Sequence, residues 1–137
     1  MSKWLALFCM LALSITVVSP AAAQTAPTIT LLNPPPGGVL ELNVGESYTF
    51  EVQFDSGEPF TLAQVGLDQY YPGRYIFSSG IVSAHQTSST VLTFTITAKE
   101  ATAELPAGAA PVTLTAAVRY PKNDVHVEYF PINIIVK

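Results

Sequence analysis

Two histidines, ten carboxylates and a group of tyrosines are the residues of this 137-residue chain that could do chemistry. A hydrolytic triad needs a serine or cysteine nucleophile beside a histidine that an acid holds in place. His85 lies among Ser83, Ser88 and Ser89, but in a Ser/Thr-rich run where such neighbours arise by chance, and the chain has no Gly-x-Ser-x-Gly elbow. Paired carboxylates for glycoside hydrolysis would have to come from outward strand positions (Glu51, Glu128) or from turns (Asp55, Glu58, Glu100, Glu104, Asp124), and each reads as solvated surface. A zinc site from His85 and His126 with one acid has no ligand spacing behind it, and alternation with Val125 and Val127 predicts that His126 faces solvent. Lys122-Asn123-Asp124 and Asp55-Ser56-Gly57-Glu58 hold too few acids for calcium and read as turn chemistry. No catalytic residue, metal or cofactor is expected.

The tyrosines remain. Residues 68–75 read DQYYPGRY. Adjacent residues on a strand point to opposite faces, so at most one of Tyr70 and Tyr71 can enter a core. Pro72-Gly73 suits the centre of a type II turn, after which Arg74 and Tyr75 begin a return strand. Tyrosine offers a flat apolar face and a hydroxyl, and arginine offers a planar fork of donors; both are enriched where proteins bind partners. Asp68, Tyr70, Tyr71, Arg74 and Tyr75 are therefore the candidate ligand or partner site, with either a sugar ring or a protein as the guest. The plainer alternative is a hairpin tip in which tyrosine covers its own sheet and arginine stacks on it.

The elements that must position these residues belong to an exported chain. Residues 1–23 have one lysine (Lys3), an apolar run from Trp4 to Val18, then Pro20 and Ala21-Ala22-Ala23, which is the layout of a secretory signal peptide cleaved after Ala23. The apolar run is short for a membrane span, so none is expected after cleavage. The segment takes the only cysteine with it, so no disulfide can support residues 24–137. Losing Lys3 leaves five basic residues against ten acidic ones and no basic stripe, which argues against nucleic acid and anionic lipid as partners.

Strand periodicity runs through residues 24–137, read as one domain. Tyr48, Phe50, Val52 and Phe54 share one face, as do Leu92, Phe94, Ile96 and Ala98, and again Val112, Leu114, Ala116 and Val118. Asn33-Pro34-Pro35-Pro36-Gly37-Gly38 forces a kink between two short strands. Phe60 and Leu62 are out of phase with Val65 and Leu67. Residues 78–89 are polar and read as a loop with a weak strand inside. Residues 98–105 are the one candidate helix but suit a turn better. In the last stretch Val125, Val127 and Tyr129 have one parity and Ile132, Ile134 and Val136 the other, which predicts a bulge near Tyr129–Pro131. Some seven to nine such strands predict an all-β, two-sheet antiparallel sandwich.

LELNVGESYTFEVQF, STVLTFTIT, LPAGAAPVTLTAAVRYP and the closing FPINIIVK resemble the bacterial immunoglobulin-like and fibronectin III-like domains of exported proteins. The resemblance carries a Gly-Glu before one strand, a Pro-Ala-Gly before another and an alternating last strand. It implies an immunoglobulin-like fold and a non-catalytic role as spacer, adhesion or binding module. The implied location is secreted or periplasmic, with a protein or a polysaccharide of the cell envelope as partner.

Overall fold

The computed structural model describes residues 27–137; the expected signal peptide, with Cys9, lies outside them. Seven strands carry this part of the chain: β1 (Thr28–Leu31), β2 (Val39–Leu42), β3 (Ser47–Gln69), β4 (Ile76–Ser78), β5 (Val82–Ala98), β6 (Ala110–Arg119) and β7 (Val125–Val136). Their order is β2-β7-β6-β3-β5-β4, with β1 also paired to β3. All pairs are antiparallel except β2–β7, which is parallel.

One hydrogen-bonded sheet makes two layers because β3 and β5 fold over together. Ser78 pairs with Ile96 near the end of β5, yet only three residues separate it from Val82 at the start of that strand. Three residues and their flanking bonds reach about 14 Å, while a straight β5 would carry Ile96 about 46 Å from Val82. The ribbon must therefore bend in its middle. The bend falls where the β3–β5 register slips, between Asp55 (opposite Ser89) and Phe60 (opposite Thr87). Layer I consists of β1, residues 47–55 of β3, residues 89–98 of β5, and β4. Layer II consists of β2, β7, β6, residues 60–69 of β3 and residues 82–87 of β5.

The faces predicted to be buried meet between these layers. Phe50, Val52, Phe54, Phe94 and Ile96 of layer I are fully buried against Val65, Leu114, Val118 and Ile134 of layer II. Burying each such side chain contributes about 1.5–3 kcal/mol. The prolines at 34–36 carry the chain from the edge of layer I to the edge of layer II, and Gly37 and Gly38 take positive φ at the corner. Asn33 anchors the start of this crossing: its Nδ2 donates to Thr49 O and its Oδ1 accepts from Glu51 N.

Three local expectations change, and a fourth feature of the sequence finds its cause. Residues 82–88 are strand rather than loop, because pairing with β3 satisfies their backbone although most of their side chains are polar. Asp55–Glu58 is the bend of the ribbon and not a hairpin turn. Phe60 points inward and Leu62 outward, so the phase break seen in the sequence is a real turning-over of the strand before Ala63. β7 has no bulge: its register with β6 is unbroken from Arg119–Val125 to Ala110–Ile134. Residues 98–105 form turns, as expected, and Lys122-Asn123-Asp124 closes a hairpin with Asn123 at φ 64. Pro131 lies where β7 has not yet met β2, a flank on which a missing donor is harmless.

Candidate functional site

Pro72-Gly73 makes the expected type II turn, with Arg74 N donating to Tyr71 O at 3.3 Å and Gly73 at φ 71. It is not a hairpin tip. The chain leaves layer II at Gln69 and enters layer I at Ile76, where β4 pairs with β5 and not with β3. This crossover divides the candidate residues into two groups.

Tyr71, Arg74 and Tyr75 face the turns at 99–105. Tyr75 is 1% exposed, so the expectation of an accessible contact there is corrected: it is a core residue. Its hydroxyl donates to Glu104 Oε1 at 2.6 Å. That hydrogen bond, with burial, pushes the Tyr75 pKa up from its ordinary value. Arg74 stacks over the Tyr75 ring at 5.0 Å and pairs with Glu104 at 2.5 Å and Glu100 at 3.6 Å. Glu104 beside it raises the guanidinium pKa further. Lys99 Nζ donates to Gly73 O, and Lys99 N donates to Tyr75 O. Tyr71 packs edge-on between Tyr70 and Tyr75, with ring centroids 4.9 and 5.4 Å away. These contacts fasten the crossover to the next loop, which is the plainer role foreseen for arginine and tyrosine.

Asp68 and Tyr70 face the other way. They line a groove of about 520 Å³ on the outer surface of layer II, together with Gly37, Thr113, Pro131 and Asn133. Tyr70 is 76% exposed. The groove continues a wider surface that the strand register lays out in rows. His85, Leu62, Arg119 and Val125 lie side by side, then Ser83, Gln64, Ala117 and Val127. Gly66, Thr115 and Tyr129 follow, with Ile81 beside Gly66, and then Asp68, Thr113 and Pro131. Tyr129 is 63% exposed, and Ile81 and Val125 are also exposed. Sequence reasoning missed this surface although its signal was present. The two apolar parities of β7 were read as a bulge; in the unbroken strand they mean that the apolar side changes, outward at Val125, Val127 and Tyr129, where His126 and Glu128 have the inward parity, and inward at Ile132, Ile134 and Val136.

The histidines do not meet. His85 sits on the outer face of layer II, while His126 has the inward parity of the same layer, opposite Val118, and contacts Glu128 Oε1 at 3.1 Å. The expectation that His126 points straight to solvent is thereby corrected to a half-buried position. Among the described residues no group of three or more His, Cys, Asp or Glu could hold a metal ion, and no helix is long and apolar enough to cross a membrane.

One buried polar residue also escaped the sequence reading. Thr102 plugs the open end of the sandwich: its Oγ1 donates to Gly108 O at 2.6 Å and accepts from Val136 N at 3.0 Å, while its own N donates to Val136 O. All its polar groups are satisfied, as burial requires.

No protein-family model and no curated protein matches the chain. Solved structures do. Murine CRIg aligns with a TM-score of 0.49 at 10% identity, over 82% of this chain and 99% of that one. Two structures of BcpA, the major pilin subunit of Bacillus cereus, align with TM-scores of 0.53 and 0.52 at 12% and 13% identity. They match over 83% of this chain but only 41% of the pilin. At such identity the likeness is one of fold, and the fold is an immunoglobulin-like β sandwich.

Proposed function

We propose that the protein is an exported, non-catalytic immunoglobulin-like module that works by binding a protein partner at the cell envelope, with the outer face of layer II as its contact surface. The observation that carries this reading is that face itself: Leu62, Ile81, Val125, Val127, Tyr129 and Tyr70 gather on it, whereas on the outer face of layer I the exposed Phe77 and Val91 stand singly among threonines and other polar residues. Apolar patches rimmed by polar residues mark association surfaces. Export follows from the signal peptide, with cleavage after Ala23 to release residues 24–137. Fold likeness to one part of a pilin subunit is compatible with a role in assembly. The bacterial immunoglobulin-like or fibronectin III-like grouping rests on the sequence motifs.

The test is retention of envelope protein by the immobilised protein. Tyr129→Arg abolishes retention on this reading, and Thr95→Arg on the opposite face leaves it intact. Equal retention by both variants would overturn it.

The groove supports a second reading. An exposed Tyr70 ring beside the Asp68 carboxylate and the Asn133 amide could stack on and hydrogen-bond a sugar of an envelope polysaccharide. Saturable retention on polysaccharide that Tyr70→Ala removes would decide for it.

A further inference from the structure

The outer face of layer II carries little charge: at the β2 margin Glu41 and Lys137 pair with each other at 3.0 Å, and the rest has a pattern. On the facing stretches of β3, β6 and β7 the outward side chains include one cation, Arg119, and one anion, Asp68. Both are exposed. The register puts Arg119 opposite Leu62 in the first row and Asp68 opposite Thr113 in the fourth. Rows on one face of a strand repeat about every 6.8 Å, so the two charges stand about 20 Å apart along neighbouring strands. Lys122 and Asp124, in the turn beyond the first row, offset each other.

A surface with one charge of each sign at opposite ends complements a copy of itself turned end for end. The axis required lies in the plane of the face, nearly across the strands, midway between the two charges. Rotation about it lays Arg119 of each copy over Asp68 of the other, so the pair forms twice, as a two-fold contact demands. The same rotation leaves the strands of the two copies crossing at about 30°, the angle at which twisted sheets pack face to face. Gln64, Gly66, Thr115 and Ala117 fall at the centre, and they are too small or too flexible to hold the faces apart. Tyr129 of each copy comes down between Val127 and Tyr129 of the other. The patch measures about 20 by 25 Å, or ~500 Å² on each copy and ~1,000 Å² in all, at the lower end for a specific contact.

We propose that this face binds a second copy of the chain, in an end-for-end dimer closed by two Arg119–Asp68 pairs. The proposal rests on the reading of this face as an association surface and names its occupant. A contact at the lower end of the specific size range is a weak one, and salt weakens it further through its charged ends.

The experiment is sedimentation equilibrium of the protein recovered from an exporting host, as wild type, Asp68→Arg, Arg119→Asp and the variant carrying both changes. Each single reversal sets like charges together twice and weakens the dimer about a hundredfold. The double reversal restores it to within a few fold. Both side chains are exposed, so unchanged circular dichroism and Tm are expected in every variant. A wild type that stays monomeric at about 1 mM in low salt overturns the proposal, as does a dimer indifferent to the single reversals or unrescued by the double. A monomer that still retains an envelope protein, sensitive to Tyr129→Arg, sinks only the second copy and spares the association surface. A monomer that retains nothing sinks both.

Discussion

The two outer faces of this sandwich share β3 and β5 and differ in chemistry. On layer I, β3 and β5 present Ser47, Thr49, Glu51, Thr95 and Thr97 outward, and the hydroxyls hydrogen-bond across the strands: Ser47 with Thr97 at 2.8 Å and Thr49 with Thr95 at 2.9 Å. Most of that surface is polar, with Phe77 and Val91 standing singly on it. On layer II Leu62, Val125, Val127 and Tyr129 gather beside one another, and the charges stand at the margins as Arg119, Asp68 and the Glu41–Lys137 pair. β-Branched threonine and valine serve a strand backbone equally well. The difference is therefore not demanded by the strand backbone, and it fits the contact proposed for layer II.

The strongest way to break the comparison is to remove what both faces rest on. Phe94→Ala, in the shared core, lowers stability by about 3–5 kcal/mol in urea denaturation. Both layers are lost together in one transition; separate transitions would mean that the layers are independent bodies. Thr102→Val removes the oxygen that ties the 102–108 turns to β7 and leaves Val136 N buried without a partner, an effect of about 1–3 kcal/mol on the same measurement. Smaller in stability, but sharper for the comparison, is one arginine on each face. Tyr129→Arg and Thr95→Arg each change stability by no more than about 0.5 kcal/mol, yet only the first alters self-association in sedimentation. The smallest effect lies in the crossover. The Tyr75 pKa is raised, so the neutral hydroxyl is the form the fold favours. Its contribution is complete below the ordinary tyrosine pKa of about 10 and fades as pH rises through the higher folded value. In an ultraviolet titration Tyr75 ionises at higher pH than an ordinary tyrosine, and Glu104→Gln narrows the difference.

Alternation made the core legible in advance. Phe50, Val52 and Phe54, then Leu92, Phe94 and Ile96, then Val112, Leu114 and Val118 all point inward as their parity requires. Where side-chain contrast is weak, pairing decides the structure, and pairing is a property of distant residues. Ser83, His85 and Thr87 form strand because β3 lies beside them. The bend at 55–60 is hidden for the same reason, since nothing near Asp55 announces that β5 will follow β3 into the other layer. The candidate site was half legible. Its turn, and the rule that Tyr70 and Tyr71 must diverge, follow from local stereochemistry. That Arg74 and Tyr75 belong to Glu104 could not be read, because the glutamate lies about thirty residues downstream on another loop. The outward turn of Val125, Val127 and Tyr129 was present in the letters of β7 and was hidden by expecting the apolar side to stay inward along the whole strand.

The parallel pair β2–β7 gives the module a mechanical grain. β2 lies near the beginning of the described chain and β7 at its end, and four residue pairs from Val39–Asn133 to Leu42–Val136 join them side by side. Tension between the two ends first strips β1 from its antiparallel neighbour one bond at a time. It then loads the β2–β7 rungs in shear, so that they must fail together. A domain strung between two anchors in this way holds its shape under pull until that short clamp gives.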